Sequence, residues 1–182
     1  MPQDFTKKSD NARLFISLNF DTGFFIGLQE ELMPIHEHAR ISPTKDFHLT
    51  LKFFGNVKRS EIPEICRKLS EIEFSQFTLE TEGIDMFERR EPYVIFAKFR
   101  QSPELDSLKM KIDSVFGPDR FIPHVTLMRI KKITDKERCR DIVRNMPVKQ
   151  HKFKVGKFYL MESSLTNLGP IYTVIETFDA GK

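Results

Sequence analysis

Short apolar segments of two kinds alternate along the chain. In the first kind, hydrophobic and β-prone residues recur at every second position, which is the period of a strand with one buried face. These segments predict strands over residues 13–20, 47–54, 74–84, 93–99, 121–130, 153–155, 158–161 and 171–178. In the second kind, apolar residues recur at helical spacing. They predict four helices that begin near residues 21, 60, 103 and 134.

Proline and glycine mark several boundaries between these segments. Pro34 is expected to end or bend the first helix, because its ring blocks the preceding turn. The Pro-containing stretch 41–46 is interpreted as a link into the second strand, and Gly55 as the end of that strand. Ser60 is expected to cap the second helix, with Pro63 in its first turn, where proline is tolerated.

The order of the predicted elements indicates the fold class. Hairpin-like pairs of strands recur at the end of each half of the chain. The sequence therefore favours an α+β fold with mostly antiparallel sheet over a doubly wound parallel fold. We expect one domain over residues 1–182, in which residues 1–11 form a loose polar tail.

Two of the predicted strands carry the same motif. His-Leu-Thr-Leu begins at residue 48, and His-Val-Thr-Leu begins at residue 124. Strand alternation puts His48 and Thr50 on one face, and His124 and Thr126 on one face, with aliphatic residues on the other side. Chance rarely produces two such pairs among five histidines. One motif in each half of the chain suggests an internal duplication, and two pseudo-symmetric lobes facing across a cleft would bring the pairs together.

Composition adds limits to this picture. Forty per cent of the 182 residues are hydrophobic, which is enough for a substantial core. The net charge of +3 permits a nucleic acid or phosphate ligand without requiring one. Cys66 and Cys139 form neither a disulfide framework nor a metal knuckle, so we expect a reducing, cytoplasmic location. The first residues lack the apolar run of a signal peptide, and no stretch approaches the ~18 apolar residues of a membrane span.

Two imidazoles and two hydroxyls that face each other are suited to phosphodiester chemistry. One imidazole can activate water while the other protonates the leaving oxygen, and the threonine hydroxyls can donate hydrogen bonds to non-bridging oxygens. Acyl transfer is disfavoured, because there is no Gly-x-Ser-x-Gly turn and neither cysteine lies beside a candidate base. A required metal is disfavoured too, since neither motif contains an acidic residue and zinc sites need three or four ligands.

The paired motifs resemble the HxTx motifs of the 2H phosphoesterase superfamily. More narrowly, the chain resembles the RNA 2′,3′-cyclic phosphodiesterase family, also called 2′-5′ RNA ligases, over nearly its whole length. The segments that carry this resemblance are Arg13-Leu14-Phe15-Ile16, His48 to Gly55, Tyr93 to Ala97, the second motif with Arg129, and Ser164-Leu165 with Gly169-Pro170-Ile171-Tyr172.

The resemblance implies a bilobal antiparallel fold with helices packed outside and a basic active-site cleft between the lobes. It also implies cofactor-free, metal-independent opening of a 2′,3′-cyclic phosphate, at an RNA 3′ end or on a nucleoside, to leave a 2′-phosphate. His124 would activate water and His48 would protonate the departing O3′, although exchanging these roles fits the sequence equally well. Thr50 and Thr126 would hold phosphate oxygens, and Arg129 would lie at the phosphate or the base. No membrane is implied, and a monomer is expected.

Three further positions have two interpretations each. Strict alternation from His124 turns Arg129 to the opposite face, so its role at the phosphate requires the strand to twist, bulge or end; otherwise it is an exposed structural residue. Phe15 is interpreted as a core residue, with nucleobase stacking as the alternative. Arg89 and Arg90 are interpreted as part of a solvated charged turn, with contact to an RNA backbone as the alternative.

Two other functions fit the same sequence. One is an RNA-binding or 2′-5′ tRNA-joining protein whose hydrolysis is incidental, which would bind RNA in a salt-sensitive way that does not depend on either histidine. The other is a related 2H enzyme that acts on a small cyclic nucleotide or on a 2′-5′ linkage. The sequence does not separate this enzyme from the cyclic phosphodiesterase, because base-contacting residues carry no motif.

Overall fold

A computed structural model of the protein describes residues 9–89, 92–166 and 169–181. The strands are β1 Asn11–Asn19, β2 Ala39–Pro43, β3 His48–Lys58, β4 Phe77–Phe87, β5 Tyr93–Phe99, β6 His124–Ile133, β7 Lys152–Val155, β8 Lys157–Thr166 and β9 Gly169–Asp179. The α-helices are α1 Thr22–Glu31, α2 Ile62–Ser70, α3 Pro103–Phe116 and α4 Lys136–Asn145. Short 3-10 turns lie at Met33–Glu37 and Arg59–Glu61.

The strands form one sheet in the order β7-β4-β5-β6-β3-β1-β8-β9, and β2 pairs with β6 as a side branch. Each pairing between these strands is antiparallel. The α+β fold with a mostly antiparallel sheet is therefore confirmed. The sheet divides at the β3–β6 pair into a first lobe, β3-β1-β8-β9, and a second lobe, β6-β5-β4-β7. Each lobe takes strands from both halves of the chain, so the lobes do not correspond to the two halves of the sequence.

The helices pack against the sheet face opposite to the motif side chains. Leu49 and Val125, which alternate with the motif residues, are fully buried in the same core as Phe25 of α1, Leu108 of α3 and Val143 of α4. Burial of each such side chain contributes about 1.5–3 kcal/mol to folding. The helical layer therefore fixes one face of β3 and β6 and leaves the other face to the cleft.

The structure corrects the predicted role of Gly55. β3 continues past this glycine to Lys58 instead of ending there. In the pairing with β1, Phe54 is the extra residue of a β-bulge, and Gly55 follows it with a φ of 75°. Glycine adopts this left-handed conformation without a steric penalty, so the residue allows the strand to bend and continue.

Two other predicted boundaries are also wrong. The stretch 41–46 is not only a link, because the short strand β2 pairs with β6 until Pro43, whose missing N–H cannot extend a ladder. Ser60 does not cap α2: it lies in a 3-10 turn, and the helix begins at Ile62 without a side-chain cap. Pro63 does occupy the first turn of the helix, as predicted.

Other predicted boundaries are confirmed. α1 ends at Glu31, before the 3-10 turn that contains Pro34. α4 begins after Asp135, whose carboxylate accepts a hydrogen bond from the Arg138 amide at 3.0 Å. Most of the predicted tail lies outside the described residues, and β1 already begins at Asn11. In the ranges that the structure describes, no helix is long and apolar enough to cross a membrane.

Candidate active site

The two motifs lie on adjacent strands at the centre of the sheet. β3 and β6 pair antiparallel at Leu49 and Val125. This register brings His48 opposite Thr126 and Thr50 opposite His124, on the face that the helices leave open. Further along, β6 pairs with β2 instead of β3, so the two motif strands separate beyond this point.

A backbone carbonyl two residues earlier in the chain holds the imidazole of His124. The Nδ1 of His124 lies 2.7 Å from the carbonyl oxygen of Ile122. A carbonyl oxygen only accepts, so Nδ1 carries the proton and Nε2 is the atom available for reaction. The backbone of Asp46, two residues before His48, likewise raises the pKa of that imidazole.

Each imidazole also lies against two aromatic rings. The ring centroids are separated by 5.1 Å for His48 and Phe15, 4.9 Å for His48 and Tyr172, 5.1 Å for His124 and Phe87, and 5.4 Å for His124 and Phe96. Phe15 and Tyr172 belong to the first lobe, whereas Phe87 and Phe96 belong to the second. The aromatic rings remove water from around both imidazoles.

This burial makes both imidazoles harder to protonate. It lowers the pKa of His48 to about 4, with further lowering by the positive charges of His124 and Arg129, while the hydrogen bond to Asp46 opposes the shift. Burial is also the main cause that lowers the pKa of His124; Ile122 opposes this and Arg129 adds to it. Both rings are neutral near pH 7 in the free protein.

A β-bulge turns Arg129 towards the histidines. The register with β5 passes from Thr126 to Met128 across consecutive β5 residues, so Leu127 is the extra residue. Leu127 and Met128 are both buried, and alternation then resumes with Arg129 exposed on the face of His124. The strand thus has the bulge that a role for this arginine requires. Its charge acts on both imidazoles.

The sequence did not identify Tyr172 as a neighbour of His48. It belongs to β9, the last strand, and reaches His48 because β9 lies in the same lobe as β3. Tyr172 and Arg129 line a cavity of about 160 Å³ together with Asp46, Thr44 and Ser42, among others. Burial raises the pKa of the Tyr172 hydroxyl, and the charge of Arg129 opposes this shift. A local sequence signal could not have revealed this contact between β3 and β9, which are far apart in the chain.

Two of the open interpretations can be compared with the structure. Phe15 is 3% exposed and lies against His48 and Tyr172, so it is a buried residue of the site wall and not a free surface for a base. Arg89 is exposed, as expected for a solvated turn. Arg90 lies outside the described residues. Within the ranges 9–89, 92–166 and 169–181, no three His, Cys, Asp or Glu side chains are grouped so that they could hold a metal ion.

Curated relatives share most of the chain. A protein of Aeropyrum pernix named RNA 2′,3′-cyclic phosphodiesterase is 31% identical over 141 residues, which is 72% of this chain and 80% of that protein. A protein of Archaeoglobus fulgidus with the same name is 29% identical over 181 residues, which is 92% of this chain and 99% of that protein.

Solved structures share the fold. A protein of Thermus thermophilus superposes with a TM-score of 0.71 at 23% identity, covering 92% of this chain and 97% of that one. Escherichia coli LigT, in a complex with 3′-AMP, superposes with a TM-score of 0.68 at 21% identity, covering 96% and 100% of the two chains.

The family model described as LigT-like phosphoesterase matches residues 25–96 and again residues 100–172. Each matched range contains one His-x-Thr motif, which agrees with the inferred duplication. The matches cover most of the sequence, and the chain therefore belongs to the LigT-like phosphoesterase family.

Proposed function

We propose that this protein hydrolyses a 2′,3′-cyclic phosphate at an RNA 3′ end and leaves a 2′-phosphate. The observation that carries the proposal is the register at Leu49 and Val125, which sets two imidazoles and two threonines on one face of adjacent strands. The curated relatives in Aeropyrum pernix and Archaeoglobus fulgidus are named for this activity and support it.

Hydrolysis requires one base and one acid on opposite sides of the phosphorus atom. In the proposed step, Nε2 of His124 takes a proton from water as the water oxygen bonds to phosphorus. The bond from phosphorus to O3′ breaks, and His48 gives its proton to O3′. The reaction consumes one water, and the two imidazoles end with exchanged protonation states. A proton moves back from His124 to His48 through solvent before the next turnover.

In the free protein His124 is already in the neutral form that a base requires, whereas His48 must still be protonated before it can act as the acid. Neutral His124, whose Nδ1–H donates a hydrogen bond to the Ile122 carbonyl oxygen, presents a lone pair at Nε2. His48, with a pKa of about 4, has to gain a proton in the complex. The negative charge of a bound phosphodiester stabilises the imidazolium and raises this pKa. Substrate binding therefore contributes to the protonation of the acid.

The other three residues would bind the phosphate. Thr50 and Thr126 donate hydrogen bonds from their hydroxyls to the non-bridging oxygens, and Arg129 balances the charge that grows on these oxygens in the transition state. The chain offers an imidazole as the base that activates water, so we expect activity without a metal. These groups are held by a rigid sheet, which limits reorganisation during the reaction.

The product distinguishes this function from its alternatives. We expect nucleoside 2′,3′-cyclic monophosphates and a cyclic-ended oligonucleotide to be converted to 2′-phosphates at unchanged rates in EDTA, as measured by chromatography against 2′ and 3′ standards. Loss of activity on chelation would contradict the metal-independent step. A 3′-phosphate product would contradict O3′ as the leaving group. RNA binding without any turnover would favour a binding or joining protein.

A further inference from the structure

The first motif strand has a bulge at the same offset as the second. The register with β1 passes from Thr50 to Lys52 across consecutive β1 residues, so Leu51 is the extra residue. Lys52 then points into the helical layer, where its Nζ donates to the carbonyl oxygen of Gly117 at 2.6 Å. The next residue, Phe53, consequently lies on the cleft face and is 46% exposed. Phe53 therefore occupies the same position relative to the first motif that Arg129 occupies relative to the second.

Arg13 covers one side of this exposed ring. Its guanidinium carbon lies 4.8 Å from the centre of Phe53. Arg13 is itself exposed, and among the described residues it has no ion pair with a carboxylate. Arg59, the other arginine nearby, differs because it is paired with Glu162. Arg13 is therefore a cation that can bind a phosphate group.

Arg13 also connects the candidate active site to a larger cavity. Its charge acts on the hydroxyl of Tyr172, whose ring contacts His48. On its other side Arg13 lines a cavity of about 630 Å³, a volume typical of sites for small ligands. The cavity lining is rich in amides and hydroxyls, including those of Asn11, Asn56, Ser163, Ser164 and Thr173.

The chemistry of this lining fits a nucleotide. Arginine and hydroxyl groups bind phosphate oxygens and ribose hydroxyls, and an exposed aromatic ring stacks an unpaired base. The cavity beside Arg129, about 160 Å³, is much smaller. The larger space, with Arg13 in its wall and the exposed ring of Phe53 beside that arginine, can hold a nucleotide in addition to the one at the histidines.

We propose that Phe53, Arg13 and this cavity bind the nucleotide that precedes the cyclic-phosphate end of an RNA substrate. Phe53 stacks its base, and Arg13 moves from the ring to bind the phosphate that links it to the terminal nucleotide. This inference rests on the proposed function. With His48 as the acid that protonates O3′, the terminal ribose lies on the side of the first lobe. The preceding nucleotide then leaves from the 5′ oxygen of that ribose towards Arg13.

The test compares a short RNA with a mononucleotide. Arg13→Gln and Phe53→Ala are assayed on a trinucleotide that ends in a 2′,3′-cyclic phosphate and on a nucleoside 2′,3′-cyclic monophosphate. We expect kcat/KM for the trinucleotide to fall about tenfold in each variant, since stacking and phosphate contacts are each lost. The mononucleotide should be hydrolysed within about twofold of the wild-type rate, because it does not reach the cavity, and this rate also reports correct folding.

A matched control removes the same charge elsewhere. Arg100 pairs with Glu80 in the second lobe, so Arg100→Gln should leave the ratio of the two substrates unchanged. Arg13→Gln, by contrast, should reduce the salt dependence of trinucleotide binding by about one unit of slope. Equal losses on both substrates, or no loss on either, would overturn the proposed subsite.

Failure of the proposed function can be recognised separately. If the wild-type protein hydrolyses neither substrate, that function is wrong, and the subsite is tested by fluorescence anisotropy with a labelled trinucleotide 2′-phosphate. Weaker binding in Arg13→Gln and Phe53→Ala, but not in Arg100→Gln, would still support the subsite. Equal binding by all four proteins would reject it.

Discussion

The His48 side and the His124 side of the cleft follow one plan and differ in charge. On both sides two aromatic rings bury the imidazole, the backbone two residues earlier raises its pKa, and a bulge follows the motif threonine. The bulge then exposes Arg129 on one side and Phe53 on the other. The two imidazoles therefore have similar surroundings. The different residues beyond the bulges, Arg129 and Phe53, distinguish the roles and ligands of the two sides.

Removing the imidazoles one at a time should give the largest effect. His48→Ala and His124→Ala should each lower kcat by about 10²–10⁴, because each removes a proton-transfer group. A 4-nitrophenyl phosphodiester needs no acid for its leaving group. It should therefore restore relative turnover in His48→Ala and not in His124→Ala, measured by steady-state rates with circular dichroism to verify folding.

The opposite pattern would mean that the two histidines have exchanged roles. Unchanged turnover in both variants would contradict acid–base catalysis by this pair.

Removing the charge beyond the second bulge should have the next largest effect. Arg129→Gln should lower kcat/KM by about 10²-fold, as expected for loss of one group that stabilises developing charge. The arginine lowers the pKa of both imidazoles, so its loss should move the acidic limb of the kcat/KM profile to higher pH. Rates measured over a pH series that extends well below the ordinary imidazole pKa of about 6.5 test both effects.

Arg89→Gln is the matched control, because Arg89 is an exposed arginine on the turn after β4. Similar losses in the two variants would indicate a general effect of surface charge instead of a specific effect of Arg129.

A smaller effect concerns how the stability of the folded protein depends on pH through the two histidines. The pKa of His48 is about 4 in the folded protein and about 6.5 in an unfolded chain, so between these values only the unfolded chain takes up the proton. Stability should therefore fall as the pH falls from about 6.5 to about 4, by about 3 kcal/mol from this group. Urea unfolding at about pH 7, 5.5 and 4 should show a weaker pH dependence in His48→Gln.

His124→Gln should change the pH dependence in the same direction, because burial lowers that pKa as well. Parallel curves for the wild type and both variants would mean that the imidazoles are not buried as described.

The sequence was sufficient to predict the elements with strong local periodicity. The faces of the two motif strands follow from alternation, and α4 was expected to begin near residue 134, where Asp135 caps it. The need for a twist, a bulge or a strand end before Arg129 could also be inferred, because the arginine falls on the wrong face of a regular strand. The bulge itself depends on the pairing with β5, so its position could not be read from β6 alone.

The features that could not be predicted depend on strand pairing between segments that are distant in the sequence. The strand β2 is short and ends at a proline, so its periodicity gives little signal. Its strand conformation depends on pairing with β6. The contact of Tyr172 with His48 requires β8 and β9 to join β1 in one lobe. Such neighbours are set by the packing of the whole sheet, and no local pattern encodes them.

The mixing of early and late strands in each lobe has a consequence for synthesis. β1 is synthesised well before β8, and one edge of β1 stays unpaired until β8 has been made. In the same way, one edge of β4 stays unpaired until β7 has been made. Contacts between such distant segments form slowly, and an open strand edge invites pairing with other chains. A nascent chain that stops before Gly169 lacks β9 and with it Tyr172, one wall of the cleft around His48. The wall of the cleft around His48 can therefore be completed only after β9 has been synthesised and has paired with β8.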